Sequence, residues 1–241
     1  MSSKAEHIVL IAVTAMVVAS AAMAWTSLDG RHPDQDMPME TVAHGSIRST
    51  VELTCAMDGT AIESKGTGFV ASHGGESYIV TCAHIVTYGG IALDDIRFRF
   101  YNSDAEYRSI ILSLDEGLDI AILSIPDECP PVKPLAFGDS DRLRYSQRVL
   151  TIGNGLGYGL AATDGTVSIP LVNVKQDGDR PMVQTNININ RGSSGGPLLD
   201  LQGDVVGMMS FRLNNIGGLV QGMSFATPSN VIVSYVEEAL V

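Results

Sequence analysis

The chain has 241 residues, a formal net charge of −12, and 45% hydrophobic against 17% charged residues. That is apolar enough to fold around a core and too poor in charge for a disordered acidic chain. The carboxylate excess argues against a nucleic-acid partner, whose phosphates need Lys and Arg.

Ile8 to Ala24 is a stretch of 17 residues without a charge, preceded by Lys4 and ending in Ala22-Met23-Ala24. The small-x-small ending resembles a signal-peptidase site. The length is also near the lower limit of a spanning helix, about 17 to 25 residues. A cleaved signal and a retained membrane anchor through residues 8–24 both stay open. Either one exports the rest of the chain to a periplasmic or other extracytoplasmic space. Residues 1–25 are therefore assigned to this segment. Residues 26–45, polar and carrying Pro33 and Pro38, read as a linker.

From Ser46 onward, short apolar runs alternate with Gly, Asp and Asn. The first half predicts strands at Ile47–Ala56, Thr67–Ser72, Ser77–Thr81, Ile96–Phe100, Ser109–Leu114 and Ile120–Ile125. The Pro-rich run Cys129–Pro134 reads as a crossover. The second half predicts Gln147–Ile152, Ala162–Val172, Pro181–Thr185, Pro197–Asp200, Val205–Phe211 and Gly222–Ala226. Two sets of six strands imply an all-β fold of two six-stranded antiparallel β-barrels, about 46–134 and 135–228. Pro228–Leu240 has helical spacing, with Ser229 or Asn230 as its cap. The three cysteines, Cys55, Cys82 and Cys129, leave at least one thiol outside any intrachain disulfide. One bridge is compatible with export, and no pairing is favoured. No CxxC and no HExxH occur, so neither a zinc site nor any other metal or cofactor is expected.

Three segments carry chemistry. Gly192-Ser193-Ser194-Gly195-Gly196-Pro197 puts a hydroxyl on a turn of small residues. Such a turn admits a substrate and aims backbone amides at one point. Ser194 is the candidate nucleophile, and the amides of Gly192 and Ser194 are the candidate oxyanion hole. Tyr78–Val86 is an apolar strand running into Ala83-His84. Of five histidines, only His84 sits at a strand end in this way, where an imidazole can shuttle a proton. Leu118–Ile125 opens an apolar strand with Asp119, which can orient that ring. Asp115, four residues earlier in a more polar loop, is the weaker competitor. Cys82 is read as a small buried residue, not a nucleophile.

Together, TCAHIV, LDIAILSI and GSSGGPLLD resemble the trypsin-like serine proteases, in the chain order His, Asp, Ser. Further segments are similar to the HtrA/Deg branch. They are Gly66–Val70, Phe137–Asp141, Ile152–Asn154, Gln184–Asn186, Asp204–Gly207 and Phe225–Asn230. The resemblance runs from about residue 46 to 236. It implies a serine-type endopeptidase acting on exported, unfolded or damaged polypeptides through an acyl-enzyme, with His84, Asp119 and Ser194 as its triad. It implies Asn188, six residues before the serine, as the floor of the substrate pocket. Ile189, Ser210 and Phe211 would line it. A preference for small or medium apolar residues at the cleaved position follows, and Ser210 and Phe211 would pair with the substrate backbone. The usual Pro-Gly-Asn before the serine is replaced by Arg191-Gly192-Ser193. The sequence stops at Val241 without a PDZ domain, so peptide-sensing of that kind is not expected. The branch is often trimeric, but no single motif carries a homotrimer over to this chain.

Overall fold

The computed structural model describes residues 36–174, 180–215 and 218–240; the predicted segment 8–24 lies outside the described residues. Among the described residues no helix is long and apolar enough to cross a membrane. The chain from Met37 onward is one compact unit.

Helix α1 is Met39–Ser46, where a linker was expected. Pro38 stands directly before it, with a fixed φ that suits a helix start. Val42 on its face is 1% exposed, and the Met37 amide donates to the Leu201 carbonyl at 2.8 Å. The folded unit thus begins before residue 46.

The first half contains β1 Thr50–Ala56, β2 Glu63–His73 and β3 Glu76–Thr81. The four-residue helix α2, Ala83–Val86, follows, and then the small pair β4 Thr87–Tyr88 and β5 Ile91–Ala92. β6 Asp95–Phe100, β7 Tyr107–Ser109, β8 Ile111–Asp115 and β9 Ile120–Ser124 complete it. Alternation dictates the inner face. Val51, Leu53 and Cys55 of β1 point inward with Ile96, Phe98 and Phe100 of β6, while Glu52, Arg97 and Arg99 point out. β3 and β9 are buried on both faces, as their unbroken apolar runs require.

The sheet order is β7-β6-β1-β2-β3-β9-β8, so the first expected barrel takes the form of a curled seven-stranded sheet. The difference lies at Ile110. What reads as one strand, Ser109–Leu114, is bent there, and its two parts form the two edges of the curled sheet. The Ile110 carbonyl still accepts from the Ser124 amide at 3.0 Å, so the curl nearly closes through the bend.

The second half is a closed six-stranded barrel, as expected. Its strands are β10 Arg148–Gly153, β11 Ala161–Val174, β12 Arg180–Thr185, β13 Pro197–Leu199, β14 Val205–Asn215 and β15 Gly218–Pro228. The order is β10-β11-β12-β15-β14-β13, and pairing of Leu150 with Leu199 closes the circle. Val149, Val167, Val183, Ile187, Leu198 and Met209 fill it.

Helix α3, Ser229–Ala239, ends the described chain. Neither Ser229 nor Asn230 caps it. The Ser229 hydroxyl donates to the Gly138 carbonyl at 2.6 Å, and the Asn230 amide donates to Asp139 at 2.9 Å. Both side chains tie the helix to the 138–140 loop, and Ile232 and Val236 seal the core.

Candidate active site

His84 and Asp119 are in direct contact, and Ser194 is linked to Asp119 through Ser210. The apolar strand β3 is rigid, and α2 begins immediately after it, so His84 stands at a strand end with its side chain 47% exposed. Asp119 precedes β9, which pairs with β3 through Thr81 and Ala121. That pairing brings the two residues together. Nδ1 of His84 lies 2.9 Å from both Oδ1 and Oδ2 of Asp119, and the His84 backbone amide donates to Oδ1 at 3.0 Å. Asp119 itself has φ +57°, a left-handed conformation that Asp tolerates better than most residues. Asp115 takes a different partner: its carboxylate accepts the Leu118 amide at 2.8 Å and shapes the turn before Asp119.

Ser194 lies on the turn between β12 and β13. Gly192 has φ +96° and Gly195 φ +85°. A Cβ at Gly192 would strike the Asn154 carbonyl, and one at Gly195 would strike the Thr67 carbonyl. Only glycine fits both places. Thr67 of the first half clamps this turn. Its amide donates to the Ser194 carbonyl at 2.9 Å. Its hydroxyl donates to the Gly192 carbonyl at 2.6 Å and accepts the Asn154 amide at 3.0 Å. The turn's other amides are bonded within the protein: Ser193 donates to the Asn190 carbonyl at 3.0 Å, Gly196 to the Ser193 carbonyl at 3.1 Å and Gly195 to the Met209 carbonyl at 2.7 Å. Among the described residues no backbone acceptor takes the amide of Gly192 or Ser194.

The Ser194 hydroxyl donates to the Ser210 carbonyl at 2.7 Å and not to His84. Ser210 was expected in the pocket lining. Its side chain is instead 1% exposed and donates to Oδ2 of Asp119 at 2.7 Å. Ile189 is 4% exposed and packs inside the second barrel. Asn188 is exposed, and its Oδ1 accepts the Gly222 amide at 2.9 Å. Phe211 pairs with Phe225 in the β14–β15 ladder, and its side chain lies outside the described residues.

One contributor was missed by the sequence reading. Arg180, at the start of β12 and 7% exposed, donates to Oδ2 of Asp119 at 3.4 Å and to the Ser210 hydroxyl at 3.2 Å.

The electrostatics favour an ionised Asp119. Burial alone would raise its carboxyl. The His84 ring bond, the His84 charge and backbone amide, and the Ser210 hydroxyl outweigh that and hold it down at about 2. The three cysteines are all thiols, with Cys55 and Cys82 buried. Burial, and then the Asp119 charge, push the Cys82 thiol well up. Ligand atoms of Cys82, His84 and Asp119 lie within 4.8 Å of one another, a spacing that could hold a metal ion. The Cys82 thiol donates to the Met209 carbonyl at 3.4 Å, and His84 and Asp119 are hydrogen-bonded to each other.

Two β halves, a curled sheet and a closed barrel carrying His84, Asp119 and Ser194 in that chain order, define the trypsin-like class of fold. The chain belongs to that family: the trypsin-like peptidase domain matches residues 66–208. A relative from Marinomonas sp. (strain MWYL1), described as a probable periplasmic serine endoprotease DegP-like, is 39% identical over 176 residues, covering 73% of this chain and 35% of the relative. One of the same description from Pseudomonas putida (strain GB-1) is 34% identical over 171 residues, covering 71% of this chain and 34% of the relative. The chain thus spans about a third of the length of the curated relatives it matches. Among solved structures, the HtrA-type protease AlgW with a tripeptide superimposes with a TM-score of 0.72 at 23% identity, over 83% of this chain and 63% of that one.

Proposed function

We propose that the protein is a serine endopeptidase that cleaves exported, unfolded or damaged polypeptides by acyl transfer. The observation that carries this reading is the approach of both Asp119 oxygens to Nδ1 of His84, at 2.9 Å, beside a nucleophile on a turn whose two flanking glycines have positive φ. Asp119 fixes the tautomer that leaves Nε2 free to take a proton. Ser194 attacks the peptide carbonyl, His84 accepts its proton and passes it to the leaving amine, and the amides of Gly192 and Ser194 hold the oxyanion. Water then attacks the ester, with His84 as base, and releases the acyl group. No metal or cofactor takes part.

In the resting site the Ser194 hydroxyl occupies the Ser210 carbonyl. A substrate strand laid along β14 donates its own backbone N–H to that carbonyl. This displaces the hydroxyl, which turns to His84. Engagement of the nucleophile is thereby coupled to substrate binding. The substrate pocket, with Asn188 at its floor, favours small or medium apolar residues because no carboxylate is there to hold Lys or Arg. Export is supported by the uncharged segment 8–24 and by the periplasmic description of the relatives.

The test is fluorophosphonate labelling of the full chain, with the modified residue located by mass spectrometry, alongside casein cleavage. Labelling at Ser194, with cleavage abolished in Ser194→Ala and His84→Ala and unaffected by EDTA, supports the reading. A folded protein that binds casein but is neither labelled nor active overturns it in favour of a binding module.

A further inference from the structure

We propose that Arg180 is a positioning residue for this reaction: from the second barrel it locks the Asp119 carboxylate and the Ser210 hydroxyl into the one arrangement that holds His84. The inference rests on the reading of His84, Asp119 and Ser194 as the triad.

Nδ1 of His84 is equidistant from the two Asp119 oxygens, at 2.9 Å each. The ring bond alone therefore does not fix the rotation of the carboxylate about its own axis. Oδ1 is pinned by the His84 backbone amide. Oδ2 is pinned from the other half of the molecule, by Ser210 at 2.7 Å and Arg180 at 3.4 Å. Asp119 also lacks the support of a regular strand, since its φ is +57°. What sets its side chain is the contacts it makes.

The guanidinium makes one of these contacts and two more around it. One terminal nitrogen donates to the Leu118 carbonyl, the residue before Asp119. The other reaches Oδ2 of Asp119 and the Ser210 hydroxyl, the latter at 3.2 Å. A planar fork spans the backbone of the turn before β9, the carboxylate beside it and a hydroxyl on β14. A lysine ammonium cannot reproduce that geometry. Burying an arginine is expensive unless its bonds are satisfied, so its place behind the dyad needs a use.

Charge does not supply that use. A cation behind Asp119 opposes the imidazolium that forms during turnover, so electrostatics alone would favour its removal. Among the described residues, the groups facing the dyad are Cys82 from the junction after β3, kept neutral, Ser210 from β14 and Arg180 from β12. The benefit of Arg180 is geometric and acts only through Asp119.

The experiment compares Arg180→Met and Arg180→Lys in the full chain, each with and without Asp119→Asn, in steady-state cleavage of a peptide reporter. A hydrogen bond to a charged group corresponds to about tenfold in rate or more. Arg180→Met should therefore lower kcat by about tenfold with KM within about twofold, and Arg180→Lys should recover part of the loss. In the Asp119→Asn background the same substitution should change the residual kcat by less than about twofold, because the group it acts through is already lost. Thermal melting confirms which variants are folded; if Arg180→Met is not, Arg180→Lys carries the comparison. An equal loss in both backgrounds, or no loss from the folded variants, overturns the proposal while leaving the triad intact. Failure of the unmodified chain to label at Ser194 removes the triad reading and this inference with it.

Discussion

Ser210 links Ser194 to Asp119. The hydroxyl of Ser194 donates to the Ser210 carbonyl at 2.7 Å, and the hydroxyl of Ser210 donates to Oδ2 of Asp119, also at 2.7 Å. The backbone of Ser210 therefore faces Ser194, and its side chain faces the Asp119 carboxylate.

This separation predicts the behaviour of Ser210→Ala. The carbonyl stays, so substrate pairing along β14 is retained. Oδ2 of Asp119 loses its shortest partner. Removing a hydrogen bond to a charged, buried group corresponds to about tenfold in rate or more. Reporter assays should show kcat reduced by about that factor and KM within about twofold. A rise in KM at constant kcat would instead put the hydroxyl in the pocket lining, where sequence reasoning placed it.

Thr67 predicts a second effect, on the other flank of the nucleophile. It is fully buried, and its hydroxyl bridges the Asn154 amide and the Gly192 carbonyl. Thr67→Val keeps the shape and leaves both backbone groups unpaired. The cost is about 1–3 kcal/mol of stability. Because the Gly192 peptide loses its anchor, kcat should fall further than the loss of folded protein explains. Urea unfolding and kcat measured on the same samples separate the two.

Gly195→Ala should be worse than either. The position has φ +85°, and a Cβ there meets the Thr67 carbonyl and the Thr81 hydroxyl. Backbone strain and overpacking add to about 2 kcal/mol or more. Loss of all fluorophosphonate labelling, with a lowered melting temperature, is the expected result; normal labelling would contradict the tight fit of this turn.

These contacts also show what the sequence could carry. His84, Asp119 and Ser194 could be singled out as candidates because each is announced by its neighbours: an apolar strand before the histidine, another after the aspartate, glycines around the serine. Arg180 has no such signal. It is 61 residues from Asp119 in the chain and stands at a strand start, where a charged residue normally meets solvent. The bond from the Ser210 hydroxyl to Asp119 was not legible, because its place on β14 does not reveal where each of its groups points. Helix α1 was hidden by its mixed composition; the burial of Val42 and Ser46 and the packing of Met39 against the core give it a reason to fold. The bend at Ile110 was invisible for the opposite reason: the run around it keeps good strand residues on both sides, so nothing local marks the break.

The depressed carboxyl of Asp119 makes a prediction about acid stability. It is held at about 2, against 3.8 for an unperturbed Asp. The fold favours the ionised form, so the associated stability is complete above about pH 4 and is lost as the pH falls through about 2. A difference of that size corresponds to on the order of 2 kcal/mol. Chemical denaturation at stepped pH should show the unmodified protein losing roughly that much more than Asp119→Asn between pH 4 and 2. Other carboxyls contribute equally to both proteins and cancel. Parallel stability curves down to pH 2 would show that the His84 and Ser210 bonds do not favour the charged form.

Specificity gives the last prediction. On the proposed reading Asn188 forms the floor of the substrate pocket, and its Oδ1 accepts the Gly222 amide at 2.9 Å. An aspartate carboxylate can accept the same bond, so Asn188→Asp preserves the local structure while adding a negative charge. A charge at the floor attracts Lys and Arg and repels nothing apolar except through the desolvation it demands. The unmodified protein should cleave after Val, Ala or Leu faster than after Arg, measured as kcat/KM on matched reporters. In Asn188→Asp the ratio should move toward Arg by about tenfold or more. An unmodified protein that prefers Arg would remove the apolar-pocket reading. A variant with an unchanged ratio would leave that preference standing and move the pocket floor away from Asn188.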